Sequence, residues 1–202
     1  VPLNVCLAPT RCECSYARHD IAGSTAADGR GRSSITELGG RPRTAWYGGA
    51  GIWYSECLSN CFTATSTWSA PVELNSGTSS SVDRRRMRPM LEAVDGGLFG
   101  FWRDGLTGGG AYYRECLSGA CANPLAWSQT EISGLDSQGS TGGFAVLGSI
   151  RAALYERLDG GAVYAECAGG CALPTAWQLV GFDVDPAGGA VALSIVGSGQ
   201  VR

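Results

Sequence analysis

One phrase is written three times along this chain. Tyr54-Ser55-Glu56-Cys57 runs on to Cys61, Tyr113-Arg114-Glu115-Cys116 to Cys121, and Tyr164-Ala165-Glu166-Cys167 to Cys171. A tryptophan follows each second cysteine by six or seven residues, at Trp68, Trp127 and Trp177. Self-similarity at a near-constant period means that one supersecondary unit has been repeated and stacked, because a unit this short cannot bury its apolar face alone. The glutamates lie 59 and 51 residues apart, a spacing that suits four short strands with variable loops.

The third copy shows the unit most cleanly. Gly143–Leu147 is a short apolar strand, Gly148-Ser149 a turn, and Ile150–Arg157 a second strand closed by the hairpin signal Asp159-Gly160-Gly161. Ala162–Cys167 is the third strand, and the cysteine-bounded loop leads to a fourth over Trp177–Val180. These four strands, A to D, recur in the second copy as Met90–Val94, Leu98–Arg103, Ala111–Cys116 and Trp127–Ile132. In the first copy they are Ser34–Leu38, Arg43–Tyr47, Ile52–Cys57 and Trp68–Leu74. Alternation along strand C puts Tyr and Glu on one face and Cys on the other. Helical periodicity is absent, which predicts almost no helix.

Both ends read as part-units. Leu3-Asn4-Val5-Cys6 looks like the end of a C strand, with Cys6 and Cys12 as its cysteine pair, Tyr16 near the tryptophan slot and a D strand running toward Ile21. Ala190–Val196 reads as an A strand, and Ile195-Val196-Gly197-Ser198 matches Val146-Leu147-Gly148-Ser149, so Gln200–Arg202 begins a B strand. The expectation is a single repeat domain over 1–202, with units at about 1–22, 33–75, 88–133, 143–184 and 188–202. Either the two part-units meet to complete one blade of a ring, or a neighbouring chain or longer array completes it. The early stop of strand B favours a chain cut inside a unit. Val1 with no signal peptide before it reads as a mature, processed or cut chain.

Composition narrows the classes. The 202 residues suffice for one sizeable core or for about four units of roughly 50 residues. All fifteen basic residues are arginine, which excludes a Schiff-base lysine and a Walker-type phosphate lysine. A net charge of −3 and the lack of a basic stripe argue against a nucleic-acid partner. No apolar run approaches the ~18 residues of a membrane-spanning helix.

Eight of the nine cysteines fall into close pairs, predicting disulfides Cys6–Cys12, Cys57–Cys61, Cys116–Cys121 and Cys167–Cys171. Cys14 is left unpaired, Cys6–Cys14 being the alternative, and a free thiol there is available to another chain. Disulfides imply a secreted, cell-surface or periplasmic setting. Zinc is the rival reading. It is disfavoured because Cys-x2-Cys is the commoner zinc spacing and His19 is the sole histidine. No metal and no cofactor are expected.

A strand pair joined by a tight loop, with Trp68, Trp127 or Trp177 just beyond it, resembles the Asp-box (BNR) repeat of sialidase-like β-propellers, Ser-x-Asp-x-Gly-x-x-Trp. The tryptophans match in position, and a cysteine-closed loop stands where that repeat has its Ser, Asp and Gly. The Tyr-x-Glu-Cys…Cys…Trp form is similar to repeats of secreted myxobacterial proteins labelled sialidase-like. The resemblance implies an all-β propeller of four-stranded antiparallel blades, about four blades' worth, with the terminal blade split between the chain ends. Each C–D hairpin would be pinned by its disulfide.

Glu56, Glu115 and Glu166 invite a carboxylate-ring reading, as a calcium site or paired glycosidase acids. One active site needs different residues from different units, however, whereas a residue recurring in each unit serves the unit. A structural role follows for the glutamates, each taking a backbone hydrogen bond in its own blade. The same holds for the tyrosines and tryptophans, as packing between blades. Function belongs to what does not repeat. The clearest departure is the loop 76–89, where Asp83 precedes Arg84, Arg85, Arg86 and Arg88; Arg30, Arg32, Arg41 and Arg43 form a second group. Arginine clusters hold carboxylates and phosphates in bidentate fashion. A contiguous run, though, does not converge on one substrate as an arginine triad from separate blades does. His19 beside Asp20 has no nucleophile motif to accompany it. The expected function is a non-catalytic extracellular recognition or assembly module that binds a protein or carbohydrate partner through its free loops. A sialidase-type glycoside hydrolase and a structural subunit of a surface assembly are the alternatives.

Overall fold

The chain's computed structural model describes residues 33–48, 51–63, 65–75, 89–103, 110–132, 141–156, 161–183, 195–196 and 200–201. Cys6, Cys12, Cys14, Tyr16, His19, Arg30, Arg32, Arg84, Arg85, Arg86 and Arg88 lie outside these residues.

The described fold is all-β and antiparallel. The first sheet comprises β1 (Ser33–Leu38), β2 (Arg41–Gly48), β3 (Gly51–Ser59), β4 (Thr67–Trp68) and β5 (Val72–Asn75), the last two both pairing with β3. The second is β6 (Met90–Val94), β7 (Gly97–Arg103), β8 (Ala111–Cys116) and β9 (Thr130–Ile132) in simple meander order. The third is β10 (Thr141–Leu147), β11 (Ile150–Glu156), β12 (Gly161–Cys167) and β13 (Gln178–Asp183), in the same order. A short hairpin of β14 (Ile195–Val196) and β15 (Gln200–Val201) follows.

Two differences from the sequence reading have local causes. The fourth strand of the first sheet is broken between Trp68 and Val72, where Pro71 has no N–H to offer a ladder. Side chains bridge the gap: the Ser55 hydroxyl donates to the Ser69 carbonyl at 2.9 Å, and Ser69 Oγ accepts from the Glu56 amide at 3.1 Å. In the other sheets a 3-10 turn (Pro124–Ala126 and Pro174–Ala176) precedes the fourth strand, so β9 begins at Thr130 rather than at Trp127. Proline suits the first helical position, and Asn123 caps the first of these turns by accepting from the Leu125 amide. Of the expected Ala190–Val196 and Gln200–Arg202 strands, Ile195–Val196 and Gln200–Val201 lie within the described residues and pair with each other.

The first hairpin of each sheet is set by its turn residues. Asp95 and Gly96 both have positive φ (51° and 79°), the type I′ pattern that matches strand twist. Gly148 alone is positive (55°) before Ser149, the type II′ pattern.

The sheets stack face to face. Ala45, Tyr47, Ile52, Tyr54, Val72 and Leu74 of the first sheet form one core with Leu91, Leu98, Trp102, Cys116, Cys121 and Trp127 of the second. The opposite face of the second sheet, with Phe99, Phe101, Tyr113 and Ile132, forms another core with Phe144, Val146, Tyr155, Val163, Cys167, Cys171 and Trp177 of the third. Alternation along β7 divides the work, with Leu98 and Trp102 facing one neighbour and Phe99 and Phe101 the other. The middle sheet is thus buried on both faces. No helix among the described residues is long and apolar enough to cross a membrane.

Candidate functional site

The repeated residues meet at the end of the third strand of each sheet. Tyr and Glu two positions apart share a face, and the tyrosine is long enough to reach the carboxylate. Tyr54 donates to Glu56 Oε2 at 2.7 Å, Tyr113 to Glu115 Oε2 at 2.7 Å, and Tyr164 to Glu166 Oε2. The acceptor role expected of the glutamates is present, but the donor is this tyrosine rather than a backbone amide.

Cys57–Cys61, Cys116–Cys121 and Cys167–Cys171 are disulfides with Cα separations of 5.6, 5.8 and 5.7 Å. Each loop places a left-handed residue three positions after its first cysteine: Asn60 (φ 54°), Gly119 (72°) and Gly170 (66°). Asn is among the few residues besides glycine that enter this region at modest cost. Three disulfides fit an oxidising, extracellular-type compartment. Replacing Cys116 and Cys121 together by serine is expected to lower stability by about 2 kcal/mol, the chain-entropy value for so short a loop. Urea unfolding of the oxidised protein measures it, and a loss near zero would show that the rigid turn needs no cross-link.

The loops carry the tryptophans onto the preceding sheet. The Trp127 ring lies edge-on to Tyr54 at 5.2 Å, and Trp177 takes the same position against Tyr113 at 5.2 Å. Their indole N–H groups donate back to the carbonyls of Cys121 (2.8 Å) and Cys171 (3.0 Å), so each cystine loop fixes its own tryptophan. Trp68 differs: it is half-buried and donates to Ser66 Oγ at 3.2 Å.

Cations meet these pairs in two ways. Arg43, in register with Glu56 across β2 and β3, is buried, ion-paired with Glu56 and 3.4 Å from the Tyr54 hydroxyl. Its charge is engaged internally rather than presented to an anion, whereas Arg41, two residues earlier, is exposed. In the second sheet Phe99 occupies the position of Arg43. The cation arrives instead from the third sheet: Arg151 Nε donates to the Tyr113 hydroxyl at 3.2 Å, and its guanidinium lies 4.1 Å from the Phe99 ring centroid. The reading of the sequence missed Arg151, because a cross-sheet contact leaves no trace in spacing. It also missed Ser69 and Ser128, whose hydroxyls accept from the amides of Glu56 and Glu115. A signal for these existed, since serine follows tryptophan in the first two copies and Gln178 replaces it in the third.

Burial separates the three tyrosines. Tyr54 and Tyr113 are wholly buried and Tyr164 is half-buried. Loss of hydration, with the Glu166 hydrogen bond and charge adding to it, pushes Tyr164 up to about 12. Desolvation raises Tyr54 and Tyr113 further still. Because the folded value of Tyr164 lies above the unfolded value of about 10, its contribution to stability is complete below that pH. It is lost as the pH climbs toward about 12. A tyrosinate absorbance titration should therefore show Tyr164 ionising before Tyr54 and Tyr113, which ionise only as the fold opens. A Tyr164→Phe variant that left the pre-unfolding portion of the curve unchanged would refute this.

No group of three or more His, Cys, Asp or Glu among the described residues is arranged to hold a metal ion. The chain matches no protein-family model and no curated protein.

Proposed function

We propose that this chain is a non-catalytic extracellular β-propeller module that recognises or assembles with a protein or carbohydrate partner through its non-repeating loops. The observation that carries the reading is the internal use of the repeated chemistry. Tyr54 and Tyr113 are 0% exposed and donate to their own glutamates, and a tryptophan from the next sheet closes over each. Antiparallel sheets of four or five strands stacked face to face, each with a cystine closing the loop after its third strand, support the propeller arrangement. Secretion is supported by the three disulfides. Arg41 remains open to an anionic group of the partner, and the group Arg84, Arg85, Arg86 and Arg88 belongs to the same proposal.

The test is a glycan array together with affinity capture from an extracellular matrix or cell-surface extract, using the oxidised full chain. A saturable ligand weakened at least tenfold by Arg84→Ala/Arg86→Ala supports the reading. Measurable glycoside turnover with no ligand retained would overturn it.

A sialidase-type hydrolase is the second reading, because its chemistry uses a tyrosine paired with a glutamate. Tyr164–Glu166 is the pair with solvent access. A tyrosine raised to about 12 is, however, a poorer nucleophile at neutral pH than a free one. Loss of turnover in Tyr164→Phe would be its signature.

A further inference from the structure

Two of the disulfides lie between sheets. Cys116 and Cys121 are both 0% exposed and belong to the core shared by the first and second sheets, which also holds Tyr54, Val72 and Leu74. Cys167 and Cys171, 1% and 5% exposed, belong to the core shared by the second and third. Each loop is fastened by its tryptophan. Trp127 and Trp177 donate to the carbonyls of Cys121 and Cys171, while their rings lie edge-on to Tyr54 and Tyr113 of the sheet before.

Reduction of such a cystine needs a thiolate to reach one of its sulfurs. With a dithiol reductant, the thiolate attacks one Sγ, expels the other cysteine as a thiolate and forms a mixed disulfide. The reductant's second thiolate then displaces the first cysteine. Two electrons pass to the protein, which gains two thiols, and the dithiol leaves as a cyclic disulfide. A close-packed core offers a molecule of that size no path to the sulfur, so the sheets must part first.

The two interfaces are not equally fastened. Thr130, in register with Tyr113 on β9, donates its hydroxyl at 2.7 Å to the carbonyl of Ala172, the residue after Cys171. Val72 stands at the same place on the first sheet, in register with Tyr54, and has no hydroxyl to offer. Arg151 adds its bond to Tyr113 between the second and third sheets. The first and second sheets are joined by the Leu91 amide donating to Ser34 Oγ, a bond between their first strands rather than at the cystine loop.

We propose that sheet stacking makes these two cystines a conformational redox switch: each is inert to dithiols while its sheets are stacked and reducible when they part, Cys116–Cys121 before Cys167–Cys171. A reductant then acts on them in proportion to how often each interface opens. The behaviour is a property of the stack and stands apart from the recognition reading above.

Reduction of the oxidised full chain by dithiothreitol at neutral pH, stopped with excess maleimide, is followed for each cystine by peptide mass mapping. In the folded protein the initial rates for both buried cystines should be on the order of a hundredfold or more below those of the urea-unfolded chain, because only the opened fraction reacts. Cys116–Cys121 should react first. Thr130→Val should speed Cys167–Cys171 about three- to tenfold, the size of one hydrogen bond, and leave Cys116–Cys121 unchanged. Thr130→Ser, which keeps the hydroxyl, should behave as wild type. Folded-state rates equal to the unfolded ones would overturn the proposal, and so would Cys167–Cys171 reacting first. A Thr130→Val change that leaves Cys167–Cys171 untouched, or speeds both cystines equally, would overturn it too, by showing that this interface does not open by itself.

Discussion

Glu56→Ala is expected to lower stability by about 3–5 kcal/mol, the range seen when one partner of a buried ion pair is removed. The cause is what remains. Arg43 is 7% exposed, and its charge is balanced in place by Glu56. Without the carboxylate, a guanidinium stays in a core bounded by Tyr54, and the Tyr54 hydroxyl loses its acceptor at 2.7 Å. The three repeats supply their own controls. Glu115→Ala leaves an unpaired tyrosine donor without an ion partner across the strand, at a cost of about 1–3 kcal/mol. Glu166→Ala, at a half-buried site where water can replace the acceptor, should cost less than about 1 kcal/mol. The double replacement Arg43→Met with Glu56→Leu should restore most of the loss, since a packed apolar pair of similar volume matches or exceeds a buried ion pair. Urea unfolding at neutral pH with disulfides intact orders the set. Equal losses in all three repeats would show that Arg43 adds nothing, and that account of the first sheet would fall.

Trp127→Ala should cost about 3–5 kcal/mol, the usual range for emptying a buried tryptophan site. Its ring is 6% exposed, fills the core between the first two sheets and meets Tyr54 edge-on at 5.2 Å. Truncation also strips the Cys121 carbonyl of its 2.8 Å donor. Trp68→Ala is the matched control: it is half-buried and its N–H serves Ser66, so less than about 1.5 kcal/mol is expected from the smaller area uncovered. A double-mutant cycle of Trp127→Ala with Tyr54→Leu should return a coupling of about 0.5–1.5 kcal/mol for the ring pair. No coupling would mean that tryptophan and tyrosine stabilise their sheets independently, and that the recurring pair does not join sheets.

Strand reading worked where side-chain alternation alone sets the outcome. β6 and β8 lie where the hydrophobic pattern and the turn at Asp95-Gly96 put them, and strand C places Tyr and Glu on one face and Cys on the other, as in β3, β8 and β12. It slipped where a single backbone group decides. Pro71 interrupts the fourth strand of the first sheet, and Pro124 and Pro174 start 3-10 turns that delay the strand behind Trp127 and Trp177. Both signals were present in the residues. They were outweighed by the expectation of an uninterrupted strand beginning at tryptophan.

The candidate site divides in the same way. The pairing of cysteines four or five residues apart was legible, since so short a loop holds its ends within bridging distance. The partner of each glutamate was legible in principle, because residues two apart on a strand share a face. Arg43 and Arg151 were not. Arg43 looks like any surface arginine until its register against Glu56 and its burial are known. Arg151 reaches a tyrosine 38 positions away in another sheet.

The Tyr-x-Glu-Cys repeat by itself determined that one strand unit recurs and that its acids and thiols serve the unit, because periodicity and face alternation are properties of the chain alone. The tertiary structure decided which cation neutralises which pair, and that Trp127 and Trp177 close over the tyrosine of the sheet before them. It also decided that Tyr164 keeps solvent access while Tyr54 and Tyr113 lose it. These are contacts between sheets. Their energies depend on burial and distance, which the order of residues along one strand does not contain.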